Sequence, residues 1–422
     1  MLIPQRHRYV LLLVLITALF LLPTSSFAEE RPHADFSRLI VVGDSLSAGF
    51  QSGSLLDTAQ VHGYANVVAE QAHAPLILPL IGPPGIPNVL ELVSFGPPPV
   101  IVTAPGVSHG RDNPAQQVTD LAVPGAKAAD VLNDRPANSP NGLNTLILGL
   151  PGLLQGINRS QIEWAEALHP SFTILWIGSN DVLGAALAGT PALATPVATF
   201  QQTFNQIADR LAATGAQLVF INIVDVTRIP AFTSAEAVAQ QTGIPLAVLG
   251  PVLGIHAGDL VTPNALPLIQ NILAGKIAGP LPGTVVLDVA EQAQVRAIVD
   301  GFNAAIAAAA KSHGAALVDE HTSFERNANR GVEVRGQRLT VGFLGGLFSL
   351  DGVHPTNTGY ALTANDVIKT INRAFEADVE PVSVEDVARH DPLVPPRVND
   401  HESALGHIDA KTFESIQRVM GR

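Results

Sequence analysis

The chain has 422 residues, 37 acidic against 24 basic side chains, a formal charge of −13 and no cysteine. Without cysteine there is no disulfide framework and no cysteine-linked lipid anchor, so stability must come from the core. A chain this acidic is not built to bind nucleic acid or an anionic lipid surface.

The chain begins with a stretch that reads as a secretory leader over residues 1–28. Arg6 and Arg8 give the basic start, Tyr9–Leu22 the apolar middle, and Ser26-Phe27-Ala28 the small-residue cleavage site. The apolar run is short for a spanning helix and Pro23 breaks it. The expectation is therefore export to the periplasm or the exterior, with no stable membrane span after cleavage. Loss of the two leader arginines takes the charge from −13 to −15. About 390 residues remain, enough for one large domain with insertions.

With 47% hydrophobic and only 14% charged residues, the body suits a buried parallel sheet. Leu39-Ile40-Val41-Val42-Gly43 is a β-branched strand that delivers Asp44-Ser45 at its carboxyl end, where open parallel sheets bind ligands. A helix is expected after this turn, continuing into His62–His73. Residues 79–117 are dense in proline and glycine, which forbids regular helix and interior strand, so a long inserted loop is expected. Val118–Ala126 reads as a short strand ending at Gly125, and Lys127–Leu132 as the start of a helix. Leu146–Leu154 is apolar but broken by Gly149, Pro151 and Gly152. A helix over Ile162–Leu168 leads into a buried strand over Ser171–Gly178 that ends in Ser179-Asn180-Asp181.

Phe200, Phe204, Ile207, Ala208 and Leu211 share one helical face within Thr199–Thr214. Ala216–Val224 is the next strand, Phe302–Lys311 an alanine-rich helix and Ala315–Val318 the last strand. Alternation of strands and helices implies an α/β fold with a central parallel sheet and helices on both faces. A second insertion spans about 230–290, and its segment Ala237–Gly258 carries no Asp, Glu, Lys or Arg. Two readings stand open for that segment: a helical subdomain packed on the core, or an apolar lid over the cleft. After Glu376 the chain is polar through residue 422, a tail expected to be peripheral and partly mobile, with one short helix over Lys411–Met420.

The chemistry is carried by two distant motifs. Ser45 follows a glycine at a strand end, and Asp351-Gly352-Val353-His354-Pro355 supplies a histidine with an acid three residues before it. A serine hydroxyl is a weak nucleophile that needs a base within hydrogen-bond reach, and the base needs an orienting acid. Pro355 disfavours α backbone at His354, giving loop geometry that can aim both side chains inward. Asp44 and Asp181 read as structural, through backbone hydrogen bonds. Asp319-Glu320-His321 has no companion ligands at metal spacing.

Four blocks, around Ser45, Gly125, Asn180 and His354, appear in order between Arg38 and Ala374, and on them the chain resembles the SGNH/GDSL hydrolase family. The resemblance implies a flavodoxin-like three-layer α/β/α sandwich over residues 36–376, a triad of Ser45, His354 and Asp351, and no cofactor or metal. It also implies an oxyanion hole made by the backbone N–H groups of Ser45 and Gly125 and the Asn180 amide. The expected activity is cleavage of a small-molecule or lipid carboxylic ester through an acyl-enzyme. An acyltransferase or a carbohydrate O-deacetylase would use the same site, and an inactive binding protein would share only the fold.

Overall fold

The structure, a computed structural model, describes residues 33–96, 99–149 and 158–396. The expected leader, the region beyond Gly149 in the broken apolar run and the helix expected at Lys411–Met420 lie outside the described residues.

Four parallel strands form the central sheet: β1 (Leu39–Gly43), β2 (Phe172–Trp176), β3 (Gln217–Ile221) and β4 (Ala316–Val318), side by side in that order. The register pairs Leu39 with Phe172 and Gly43 with Trp176, so β1 and β2 end level. Every residue of β1 and β2 is buried, as expected of strands covered on both faces. On the free edge of β1 the extended segment 118–123 runs parallel to it. The N–H groups of Leu121 and Val123 donate to the carbonyls of Val41 and Gly43. The glycine block therefore leaves the sheet at the same end as the Ser45 and Asn180 blocks.

Helices flank this sheet in an α/β/α sandwich. Helix α1 (Tyr64–Gln71) packs against the helix that follows His354, while α2 (Ala128–Asn133), α3 (Gln161–Leu168) and α4 (Ser179–Leu187) follow the second and third blocks. Helix α5 (Val197–Ala213) buries the stripe of Phe200, Phe204, Ile207, Ala208 and Leu211 read from the sequence. It does so against Phe302, whose ring stacks on Phe200 at 4.0 Å, and Phe220, edge-on to Phe204 at 5.5 Å.

Both insertions are structured. The first contains an antiparallel hairpin, Leu90–Ser94 with Val100–Thr103, where the proline density suggested only loop. The hairpin pairs with no strand of the main sheet, so its flanking prolines interrupt no central ladder. In the second, α6 (Ala235–Thr242), α7 (Leu246–Leu253) and α8 (Ala265–Leu273) enclose a small core of their own around Val238, Leu249, Leu253 and Ile269. No residue of Ala237–Gly258 borders the cavity that holds Ser45. The uncharged stretch contributes Val238, Leu249, Leu253 and Ile255 to that separate core and no wall to the cavity.

The 25-residue helix α9 (Val289–His313) begins well before the expected Phe302, and inside the span read as insertion. A capping box sets its start: the Asp288 side chain accepts from Glu291 N–H, and Glu291 accepts from Asp288 N–H. After β4 come α10 (Glu320–Arg330), α11 (Asn357–Phe375) and α12 (Val384–His390). The polar tail is held down as far as it is described. Asp391 accepts from both the N–H and the hydroxyl of Thr358, and the Asn365 and Asn372 amides bond the main chain of Val382 and Val379.

Candidate active site

The strand β1 stops at Gly43, which is gripped from the side by the amide of Gln161 on α3. Gln161 Oε1 accepts from Gly43 N–H and its Nε2 donates to Gly43 C=O, both at 3.0 Å. A side chain at Gly43 would lie within 2.6 Å of the Trp176 carbonyl and of Ser47 Oγ, so only glycine fits. The chain then turns tightly. Asp44 accepts from Leu46 N–H, and the carbonyls of Asp44 and Ser45 accept from Ala48 and Phe50. The turn leaves the Ser45 hydroxyl free of any capping role.

That hydroxyl meets His354 instead. Ser45 Oγ lies 2.7 Å from His354 Nε2, and His354 Nδ1 lies 2.9 Å from Asp351 Oδ2. All three side chains are buried. Asp351 is saturated: it accepts from the N–H groups of Val353, His354 and Gly53 and from the Ser349 hydroxyl, besides the imidazole. Burial alone would raise its carboxyl, but the charge and hydrogen bonds of His354 and the N–H donors hold it below the ordinary carboxylate value. An ionised Asp351 fixes the proton on Nδ1 and leaves Nε2 to accept from the serine. Phe50 packs on the imidazole with ring centroids 4.7 Å apart, and Tyr360 O–H donates to Phe50 C=O.

Asn180 follows β2 at the start of α4. Gly178 turns the chain there at φ +125°, a region open to glycine, with Phe200 pressed where a side chain would be. The Asn180 amide donates to Ala126 C=O at 3.0 Å, which leaves its second N–H unused by that bond. It borders the cavity that contains Ser45 and His354. Gly125, at φ +83°, lines the neighbouring cleft that Asn180 also borders. Asp181 ties the two blocks together by accepting from Ala128 N–H and the Thr195 hydroxyl. Asp44 and Asp181 thus both serve the backbone, as read from the sequence. Asp319, Glu320 and His321 point to different partners: Asn222, Thr363 and the Ile223 carbonyl.

Sequence reasoning passed over Gln161, which holds Gly43; Ser349 and Gly53, which donate to Asp351; and Phe50, which packs on His354. The contacts of Gln161 and Gly53 span 118 and 298 residues, and no local pattern announces them.

Four buried carboxyls here titrate high because burial disfavours their charged form: Asp181 is pushed up to about 6, Asp44 to about 7, and Asp120 and Glu320 to about 8. Each binds its proton more tightly in the folded than in the unfolded chain. Their stabilisation is complete below the ordinary carboxylate range and is lost as pH rises through 6 to 8. Asp351 acts oppositely, and only below about pH 4. The melting temperature is expected to fall between about pH 5 and about pH 9. Asp120→Asn, which keeps the acceptor for Ala122 N–H, should flatten that fall. A wild-type melting temperature that rises across this range would contradict the assignment.

A serine, a histidine and an aspartate in one hydrogen-bonded line at the carboxyl ends of a parallel sheet define the class, an α/β protein with serine-hydrolase site geometry. The sequence matches the GDSL-like lipase/acylhydrolase family over residues 39–367, and the chain belongs to that family. Among solved structures it is similar to an alpha/beta hydrolase enzyme from the metagenome of Lake Arreo, Spain (14% identity, 81% of this chain and 97% of that one, TM-score 0.38). It is also similar to an acetylxylan esterase from Geobacillus stearothermophilus (12%, 79% and 94%, TM-score 0.37). A third is phospholipase A1 from Streptomyces albidoflavus (15%, 79% and 98%, TM-score 0.34). No curated protein matches the chain. Among the described residues, no helix is long and apolar enough to cross a membrane.

Proposed function

We propose that this chain is an exported serine hydrolase that cleaves carboxylic esters, with Ser45 as nucleophile, His354 as base and acid, and Asp351 as the group that orients the imidazole. The observation that carries this reading is the 2.7 Å contact of Ser45 Oγ with His354 Nε2, backed by Asp351. Ser45 Oγ attacks the ester carbonyl carbon as its proton passes to Nε2. The carbonyl π electrons move to oxygen, which the N–H groups of Ser45 and Gly125 and the Asn180 amide would receive. The C–O bond to the alcohol then breaks as His354 returns the proton to the departing oxygen. Water, activated by the same imidazole, releases the acid from Ser45.

The acyl part would sit in the cavity of about 80 Å³ beside Ser45, bounded by Leu183, Ile229, Phe324 and Leu347. The alcohol would face the larger cleft, about 510 Å³, with Lys127, Asp130, Asn141 and Thr190 on its walls. That cleft, more polar than the cavity beside Ser45, favours a second reading on the same site: an acyltransferase or carbohydrate O-deacetylase with a hydroxylated alcohol. The test is turnover of p-nitrophenyl acetate and butanoate by the purified mature protein, with the acyl group trapped on Ser45 by mass spectrometry. Hydrolysis of both with an adduct on Ser45 is expected. No turnover of either ester would overturn the reading.

A further inference from the structure

The cavity beside Ser45 is apolar over most of its wall, yet it contains a carboxyl for which a hydrocarbon chain has no use. Glu320, the first residue of α10, is 8% exposed and borders this cavity together with Phe324, Leu347, Phe348 and Leu362. Its Oε1 accepts from the Thr363 hydroxyl at 3.0 Å. Its Oε2 is buried with no hydrogen-bond partner among the described residues. Asp44 Oδ2, Trp176 Nε1 and Ser179 Oγ are unpartnered in the same way, and their residues border the same cavity. Buried polar atoms without partners are costly, and several on one cavity call for a common explanation.

We propose that this cavity selects acyl groups bearing a hydrogen-bonding oxygen, a hydroxyl or ether on the chain, and that Glu320 is the side chain that binds it. The inference rests on the reading of Ser45 as an esterase nucleophile. Burial keeps Glu320 protonated near neutral pH, with its carboxyl pushed up to about 8. With Oε1 accepting from Thr363, the Oε2 hydroxyl is the free donor. A neutral carboxyl in apolar surroundings suits a neutral oxygen and disfavours an ammonium group, which would need a paired anion. A site built to bond a substrate oxygen discriminates strongly against the analogue that lacks it, because its own polar group is then left bare.

The experiment keeps the leaving group constant and varies the acyl group. The p-nitrophenyl esters of butanoate, 3-hydroxybutanoate, hexanoate and 6-hydroxyhexanoate are compared on wild type, Glu320→Gln and Glu320→Leu, with melting temperatures alongside. Wild type is expected to favour at least one hydroxyacyl ester over its plain counterpart by about tenfold or more in kcat/KM. Glu320→Leu should erase that preference and gain on the plain chains, while Glu320→Gln, which retains a donor, should keep most of it. Glu320→Met replaces the leucine variant if the latter is poorly folded. A wild type without preference for either hydroxyacyl ester, or a preference that survives in Glu320→Leu, overturns the assignment of Glu320 and leaves the esterase reading standing. Failure to turn over any of the four esters overturns both.

Discussion

Ser45→Ala and His354→Ala are each expected to lower kcat for p-nitrophenyl ester hydrolysis by about 10⁴–10⁶, with the double variant no worse than either alone. On the proposed roles the two side chains act as one unit, joined by their 2.7 Å contact. Without the hydroxyl there is no nucleophile, and without the imidazole the hydroxyl keeps its proton. Folding should be preserved in Ser45→Ala. The Ser45 carbonyl, not its hydroxyl, holds Phe50 N–H, and the turn is pinned by Asp44 and Gln161. His354→Ala removes a ring that packs on Phe50, so its melting temperature should fall further than that of Ser45→Ala. The His354 backbone N–H still donates to Asp351 in that variant. The checks are steady-state kinetics and thermal melts on pure protein. Near-native activity in Ser45→Ala would remove the nucleophile assignment.

What the sequence made legible follows from physical pattern. The strands β1 and β2 were readable because strands buried on both faces give unbroken apolar runs, here Leu39–Gly43 and Phe172–Trp176. Helix α5 was readable because its buried stripe repeats at helical spacing. The first half of α9 was not. Over Val289–Gly301 its buried residues, Gln292, Val295 and Val299, include a polar one, and the prolines just upstream drew the segment into the insertion. The hairpin at Leu90–Thr103 was hidden by the same breakers, which sit between and beside its strands.

At the candidate site, the meeting of Ser45, Asp351 and His354 was legible because each stands in a short motif. The residues that hold them in place were not, because a glutamine that grips the Gly43 backbone from another helix looks like any other glutamine. Glu320 shows the converse. Within Asp319-Glu320-His321 it suggested at most a weak metal cluster. Only folding separates the three side chains and places Glu320, alone of them, at the border of the cavity beside Ser45.

Asn180→Ala is expected to lower kcat by about 10²–10³ with little change in KM. The ground-state ester carbonyl bears only a partial charge, whereas the tetrahedral intermediate puts a full negative charge on that oxygen. A donor aimed there acts mainly on the transition state. Such a donor must be fixed beforehand, and the Asn180 amide is held by its neighbours. The register of β1 on β2 ends the two strands level, Gly178 permits the sharp entry into α4, and the bond to Ala126 C=O restrains the amide at the border of the cavity that holds Ser45. Asp181 then locks the next loop to the same helix through Ala128 N–H, so the Gly125 backbone and the Asn180 amide keep a common frame. Asp181→Asn is the control. It weakens that frame without removing the amide, and should cost less in kcat than Asn180→Ala at a comparable loss of melting temperature. An Asn180→Ala effect confined to KM would make Asn180 a substrate-binding residue and return Gly178–Asp181 to a structural role.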